Sequence, residues 1–179
     1  MNTTTENQPA TGEQSSAVTE FVPALLHLRT LLVPTDFSES SRKAMHYALR
    51  LAQQFGSTLV LLHVIEPVYP YPVDGLMHFP GELRDPNLER RPETEKALTR
   101  LADSTARQGD VPVRTAMRTG RAYDEIAAAA REENADLIVI STHGYTGLKH
   151  VLLGSTAERV VRHAPCPVLV VREHEHEFI

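Results

Sequence analysis

The strongest constraint on this chain is an alternation. Short apolar runs rich in β-branched residues take turns with longer stretches whose apolar residues recur at helical spacing. Leu31-Leu32-Val33 is the first run, stopped by Pro34, which has no donor for a ladder. Thr35-Asp36-Phe37-Ser38 turns the chain, and Ser38 is set to cap a helix running to about Phe55. Ala44, Tyr47, Ala48, Leu51 and Phe55 form its apolar face, with Gly56 placed for a left-handed cap. Thr58 to Ile65 is a second apolar run, interrupted only by His63, which reads as a core-edge residue. A helix from Glu93 to about Gln108 follows, closed by Gly109. Val111 to Met117 alternates and carries Pro112, as an edge strand does. Arg121 to Glu133 is an alanine-rich helix, and Leu137-Ile138-Val139-Ile140 a strand covered on both faces. A last helix runs to about His163, and Val168-Leu169-Val170-Val171 is the last strand. Five strands alternating with four helices imply right-handed crossovers and an α/β fold: one parallel sheet with helices on both faces.

Around this core, Met1 to Glu20 is polar and without periodicity, and reads as a disordered extension. Phe21 to Leu28 is more apolar and compatible with a short helix. The expected division is an extension over 1–26, a domain over 27–173 and a charged tail over 174–179. Glu66 to Pro92 holds six prolines and four aromatic or imidazole rings, Tyr69, Tyr71, His78 and Phe79. That density reads as a long loop, with room for a short turn of helix. Its rings suit a pocket cover and a local lid on the core equally.

Composition narrows the function. A net charge of -5 gives no electrostatic reason to expect nucleic acid or an anionic membrane as partner. No apolar run approaches the length of a membrane span, and the N-terminus lacks the pattern of a secretory signal. The single cysteine, Cys166, cannot form an internal disulfide, in keeping with a reducing cytoplasm. Held between Pro165 and Pro167, it reads as a small buried side chain rather than a nucleophile.

In parallel sheets of this kind ligands bind outside the carboxyl ends of the strands, where strand order reverses. The turns at that edge hold Asp36, His63-Val64 and the stretch Ser141 to Ser155. Neither G-x-x-x-x-G-K-[ST], nor G-x-G-x-x-G after the first strand, nor G-x-S-x-G occurs. Ser38, His143 and Asp36 can be written as a hydrolase set, but their spacing gives it no support. His174-Glu175-His176 reads as a solvated tail rather than a metal site. What remains is a loop with Gly144, Gly147 and Gly154, followed by Ser155 and Thr156. Ser155 with Glu158 has the form of a capping box opening a helix, and such a helix start suits a phosphate. Asp36 is placed to accept hydrogen bonds from a ribose, a role compatible with capping its own turn.

Several of these stretches together resemble the universal stress protein family. They are Leu32-Val33-Pro34-Thr35-Asp36-Phe37-Ser38, Leu62-His63-Val64, Asp136-Leu137-Ile138-Val139, Thr142-His143-Gly144, Leu153 to Val160 and Pro165 to Val171. The resemblance covers about Arg29 to Arg172. It implies a five-stranded sheet of order 3-2-1-4-5, of the adenine nucleotide alpha hydrolase-like kind. It also implies a homodimer pairing through the last strand, Val168, Leu169, Val170 and Val171.

ATP-binding members carry G-x-x-G, nine residues, then G-[ST]; Gly144, Gly154 and Ser155 match, while Ser141 replaces the first glycine. The resemblance then implies ATP, ADP or AMP as ligand, with Mg2+ or Mn2+ on its phosphates. Asp36 would hold the ribose and the main chain at Val64 would read the adenine edge. Pro34 and Ile140 would wall the site, and Gly144, Gly154, Ser155 and Thr156 would hold the phosphates beside His143. Thr35, Ser141 and Gly147 complete the candidate set. Lys149 fits either phosphate neutralisation or an exposed surface. The function implied is a nucleotide-dependent dimeric regulator in the stress response, working through an unnamed protein partner. The alternatives are a nucleotide-free dimeric interaction module, which Ser141 favours, and a slow ATP-hydrolysing or phosphotransfer enzyme, for which no general base stands out.

Overall fold

The apolar runs do become strands, and their alternation sets the two faces of one sheet. The computed structural model describes residues 26–67, 86–142 and 154–172. In chain order the elements are β1 (Thr30–Pro34), α1 (Glu39–Phe55), β2 (Thr58–Ile65), α2 (Pro86–Glu89), α3 (Arg91–Gly109), β3 (Val113–Thr119), α4 (Ala122–Glu132), β4 (Leu137–Ser141), α5 (Ser155–His163) and β5 (Val168–Val171). All pairings are parallel, in the order β3-β2-β1-β4-β5. The chain therefore builds outward from β1 through β2 to β3, then returns to place β4 on the other side of β1.

Period-two alternation sends successive side chains to opposite faces. Leu31 and Val33 of β1 join Leu59 and Leu61 of β2 and Val139 of β4 in one core, closed by Ala44, Ala48 and Ala52 of α1 and Leu98 of α3. Leu32, Val60, Leu62, Ile138 and Ile140 form the other, closed by Ile126, Ala129 and Ala130 of α4 and Ala157 and Val160 of α5. The small residues on the helices let their backbones approach a sheet already filled by leucine and valine.

The start of the sheet is fixed by a carboxylate. Asp136 accepts the N–H groups of Arg29 (2.7 Å) and Thr30 (2.9 Å), while its own N–H donates to the Thr30 carbonyl (2.9 Å). This motif residue thus locks the beginnings of β1 and β4 together, at the edge opposite the crevice described below. On the outer strand β3, Arg118 reaches Glu132 and Glu125 of α4. Its hydrogen bond holds the Glu132 carboxyl below the usual carboxylate range.

Several boundaries differ from the expected ones. α3 begins at Arg91, so Pro92 lies inside its first turn, where a missing N–H leaves no intrahelical bond unmade. A one-turn helix, α2, precedes it. Gly109 ends α3 as expected, as its last helical residue, and it is buried so close to Leu49 that a Cβ there would lie 2.2 Å from Leu49 Cδ1. The left-handed residue is Asp110, at φ 50. β3 starts two residues later than the alternation suggested, since Pro112 cannot donate, although its carbonyl accepts the Leu59 N–H (2.9 Å). Residues 26–29 are not helical. Most of the extension, residues 68–85 and the tail from 173 lie outside the described residues.

Candidate functional site

At the carboxyl ends of β1, β2 and β4 the strands stop and a crevice of about 560 Å³ opens. Its first wall is the turn after β1. The Thr35 N–H donates to the Leu62 carbonyl (2.8 Å), so β1 stays tied to β2 one residue beyond its end. The buried Thr35 hydroxyl pairs with that of Ser41 (3.1 Å) and accepts the Phe37 N–H (3.1 Å). Asp36 Oδ1 accepts the Ser38 N–H (3.0 Å), and Ser38 in turn caps α1 through the Ser41 N–H (3.2 Å).

Phe37 takes φ 63, a left-handed conformation that costs a bulky residue about 1–3 kcal/mol. Its ring packs on His63, with centroids 4.8 Å apart. His63 Nδ1 lies 2.8 Å from the Thr35 carbonyl oxygen; a carbonyl only accepts, so this nitrogen carries the proton. His63 is therefore more than a core-edge residue. It wedges the Asp36 turn against β2 and lines the crevice itself.

The opposite wall is the return from β4 into α5. The Thr142 N–H donates to the Val171 carbonyl (3.0 Å), and the Thr142 carbonyl accepts the Gly154 N–H (2.8 Å). A Cβ on Gly154 would lie 2.5 Å from that same carbonyl oxygen. Glycine is required here by contact, because φ is an ordinary -65. The expected capping box does not form: Gly154 is the N-cap, Ser155 is the first helical residue, and no side chain among the described residues caps the helix. Glu158 instead pairs with Arg162 one turn on (2.8 Å). Among the described residues, the first amides of α5 have no side-chain acceptor, a situation that suits an anion. Ser141 ends β4 in register with Val171, and it is not among the residues with positive φ. The φ angle at this position is therefore one that a residue with a side chain adopts freely.

Of the candidate residues, Pro34, Thr35, Asp36, Val64, Ile140, Ser141, Gly154, Ser155 and Thr156 all line this one crevice. His143, Gly144, Gly147 and Lys149 lie outside the described residues. The crevice also continues over β2 to Glu66, Asn87, Arg90, Thr94, Ala122 and Ile126, which no sequence motif singled out. Among the described residues, no group of three or more histidine, cysteine or acidic side chains could hold a metal ion, and no helix is long and apolar enough to cross a membrane. A smaller cleft of about 220 Å³, lined by α1 and Gln108 of α3, lies away from the strand ends.

Cys166 is partly buried. Burial, with the Asp136 charge adding to it, raises its thiol above the ordinary cysteine range. The thiolate fraction at neutral pH is thereby lowered, and reactivity follows thiolate. Alkylation by iodoacetamide at pH 7.5 should be slower in the native protein than in urea, and should recover as pH is raised. Equal native and unfolded rates would contradict this.

The fold has counterparts among known proteins. A universal stress protein of Methanocaldococcus jannaschii is 34% identical over 151 residues, covering 83% of this chain and 85% of the relative. The solved structure of the universal stress protein UspA from Lactobacillus plantarum shares the fold with a TM-score of 0.67 at 24% identity, covering 83% of this chain and 100% of that one. Two further structures share the fold over 82% of this chain and 98% of theirs: a universal stress protein in complex with cAMP (TM-score 0.59, 22% identity) and one from Archaeoglobus fulgidus in complex with dAMP (TM-score 0.57, 19% identity). The family model described as the universal stress protein family matches residues 27–172. Nearly the whole described structure falls within that match, and the chain belongs to the universal stress protein family.

Proposed function

We propose that the strand-end crevice binds an adenine nucleotide and that occupancy regulates a homodimer acting in the stress response. In this reading Asp36 accepts hydrogen bonds from the ribose hydroxyls, and the main chain at Val64 meets the edge of the base. Pro34 and Ile140 wall the nucleoside. Gly154, Ser155 and Thr156 hold phosphate oxygens through amides and hydroxyls, with Thr35 and Ser141 beside them and His143, Gly144 and Gly147 contributing from the connecting stretch. ATP is the fullest ligand for such a site, and ADP or AMP would use part of it. Mg2+ or Mn2+ would enter on phosphate oxygens and water, since the described residues hold no group of three or more histidine, cysteine or acidic side chains that could bind a metal ion. The dimer would form through β5, whose outer edge is unpaired within the sheet and would otherwise be an open template.

One observation carries the proposal: the Asp36 carboxylate and the uncapped start of α5 line the same crevice. The relatives solved with cAMP and dAMP add support, because each of those ligands joins an adenine to a single phosphate.

Isothermal titration of the full chain with ATP, ADP and AMP tests it. Asp36→Asn is the informative variant, since it keeps the oxygen that accepts the Ser38 N–H while removing the charge. A hydrogen bond to a charged group contributes about 1.5–3 kcal/mol, so affinity should fall roughly 10- to 100-fold. Wild-type protein that gives no heat with any of the three nucleotides would remove the proposal.

A further inference from the structure

We infer that Arg90 reads the base of the bound nucleotide, its guanidinium lying over the open face of the ring. This rests on the nucleotide reading above and extends it to the end of the crevice over β2. There residues at the starts of α3 and α4 both line the crevice. The polar groups of that end are largely engaged with one another. Glu66 Oε1 accepts the Ala122 N–H (2.6 Å), Asn87 Nδ2 donates to the Glu66 carbonyl (2.8 Å), and the Thr94 hydroxyl donates to the Arg90 carbonyl (3.0 Å). Among the described residues, no hydrogen bond or ion pair holds the Arg90 guanidinium. Arg90 is an exposed cation lining the crevice, its donors uncommitted among the described residues, while α4 supplies the apolar side chains Ala122 and Ile126 to the same end.

Two kinds of ligand group suit a planar guanidinium: an anion held by its fork, and an aromatic ring held by its face. Here the anion is disfavoured. The carboxylates of Glu66 and Asp36 line the adjoining strand ends, and a second phosphate between them would meet like charge. A nucleobase carries no charge, fills a slot with one apolar side, and offers a flat face on which a planar guanidinium stacks. Every base has such a face, so Arg90 supplies affinity for the base as a flat ring, and the choice of adenine rests with the main chain at Val64.

Charge and stacking separate in a crossed set of variants. AMP affinity is measured by titration for the wild type, R90A, R90K and R90F, each as the full chain. R90A should bind AMP about tenfold more weakly, the equivalent of losing one side chain stacked on a base. R90F, which stacks without charge, should stay within a few-fold of wild type. R90K, which keeps the charge but has no plane, should lie near R90A. The reverse order, with R90K retained and R90F lost, would make Arg90 an electrostatic attractor and overturn the inference. An unchanged R90A would overturn it as well, with wild-type binding still in place. A wild type that binds no AMP, ADP or ATP would remove the underlying nucleotide reading and this one with it.

Discussion

Replacing Gly154 with alanine should abolish most nucleotide binding, although the change adds one methyl group. The added Cβ would sit 2.5 Å from the Thr142 carbonyl oxygen, and neither partner can retreat. Thr142 is tied to β5 through Val171 (3.0 Å), and Gly154 donates its own N–H to the carbonyl in question (2.8 Å). Relief requires breaking one of those bonds, which swings the first turn of α5 away from the end of β4. Overpacking of this kind costs about 1–3 kcal/mol of stability, and for a chain of this size each kcal/mol lowers Tm by about 2–4 °C. Binding should suffer more. The amides of Gly154, Ser155 and Thr156 act as a set, and misaiming them loses several charge-assisted contacts together, so AMP affinity should fall by more than tenfold. Ser155→Ala is the control, since it removes a hydroxyl and leaves the backbone path alone; it should cost a few-fold at most. Titration alongside thermal unfolding decides the matter. A Gly154→Ala protein that binds AMP like wild type would show that the start of α5 has no part in the site.

The sheet was readable because its signal is carried by many residues at once. Each apolar run, from Leu31-Leu32-Val33 to Val168–Val171, is long enough to be a strand and too short to be a helix. The crossovers between them leave few topologies. The candidate site was readable where backbone chemistry demands a particular residue, as at Gly154 and at the Asp36 turn. The misses have physical causes as well. α3 ends at Gly109 as a glycine there suggests, but the left-handed residue is Asp110, and Gly109 fits the small space beside Leu49, a tertiary contact with no local signature. Ser155 and Glu158 have the spacing of a capping box, but Thr142 claims the Gly154 amide and Arg162 claims Glu158. The left-handed Phe37 is held by His63, a partner supplied by another strand. Arg90, Asn87 and Thr94 reach the crevice only because α2 and α3 fold back over β2, and a proline-rich stretch gives no advance notice of that.

Stability and binding should come apart at adjacent positions of one strand. Leu61 and Leu62 are both fully buried in β2, but the pleat sends them to opposite cores. Leu61 packs with α1 and α3, whereas Leu62 belongs to the α4 and α5 side and lines the crevice. Leu61→Ala removes about three carbons from the close-packed core that β2 shares with α1 and α3. The expected loss is about 2–5 kcal/mol, a large share of the roughly 5–15 kcal/mol that holds a domain together. Tm should drop by roughly 5–15 °C. AMP affinity of the folded protein should not change, because the β1 turn, Val64 and the start of α5 keep their positions. Leu62→Ala should show a comparable loss of stability with weaker AMP binding, since its cavity opens into the floor of the site. Urea unfolding curves and titrations on both variants provide the comparison. Equal losses of affinity would mean that the two cores move together and that the crevice depends on the packing of the whole sheet; a Leu61→Ala loss below 1 kcal/mol would mean that α1 can collapse onto the gap.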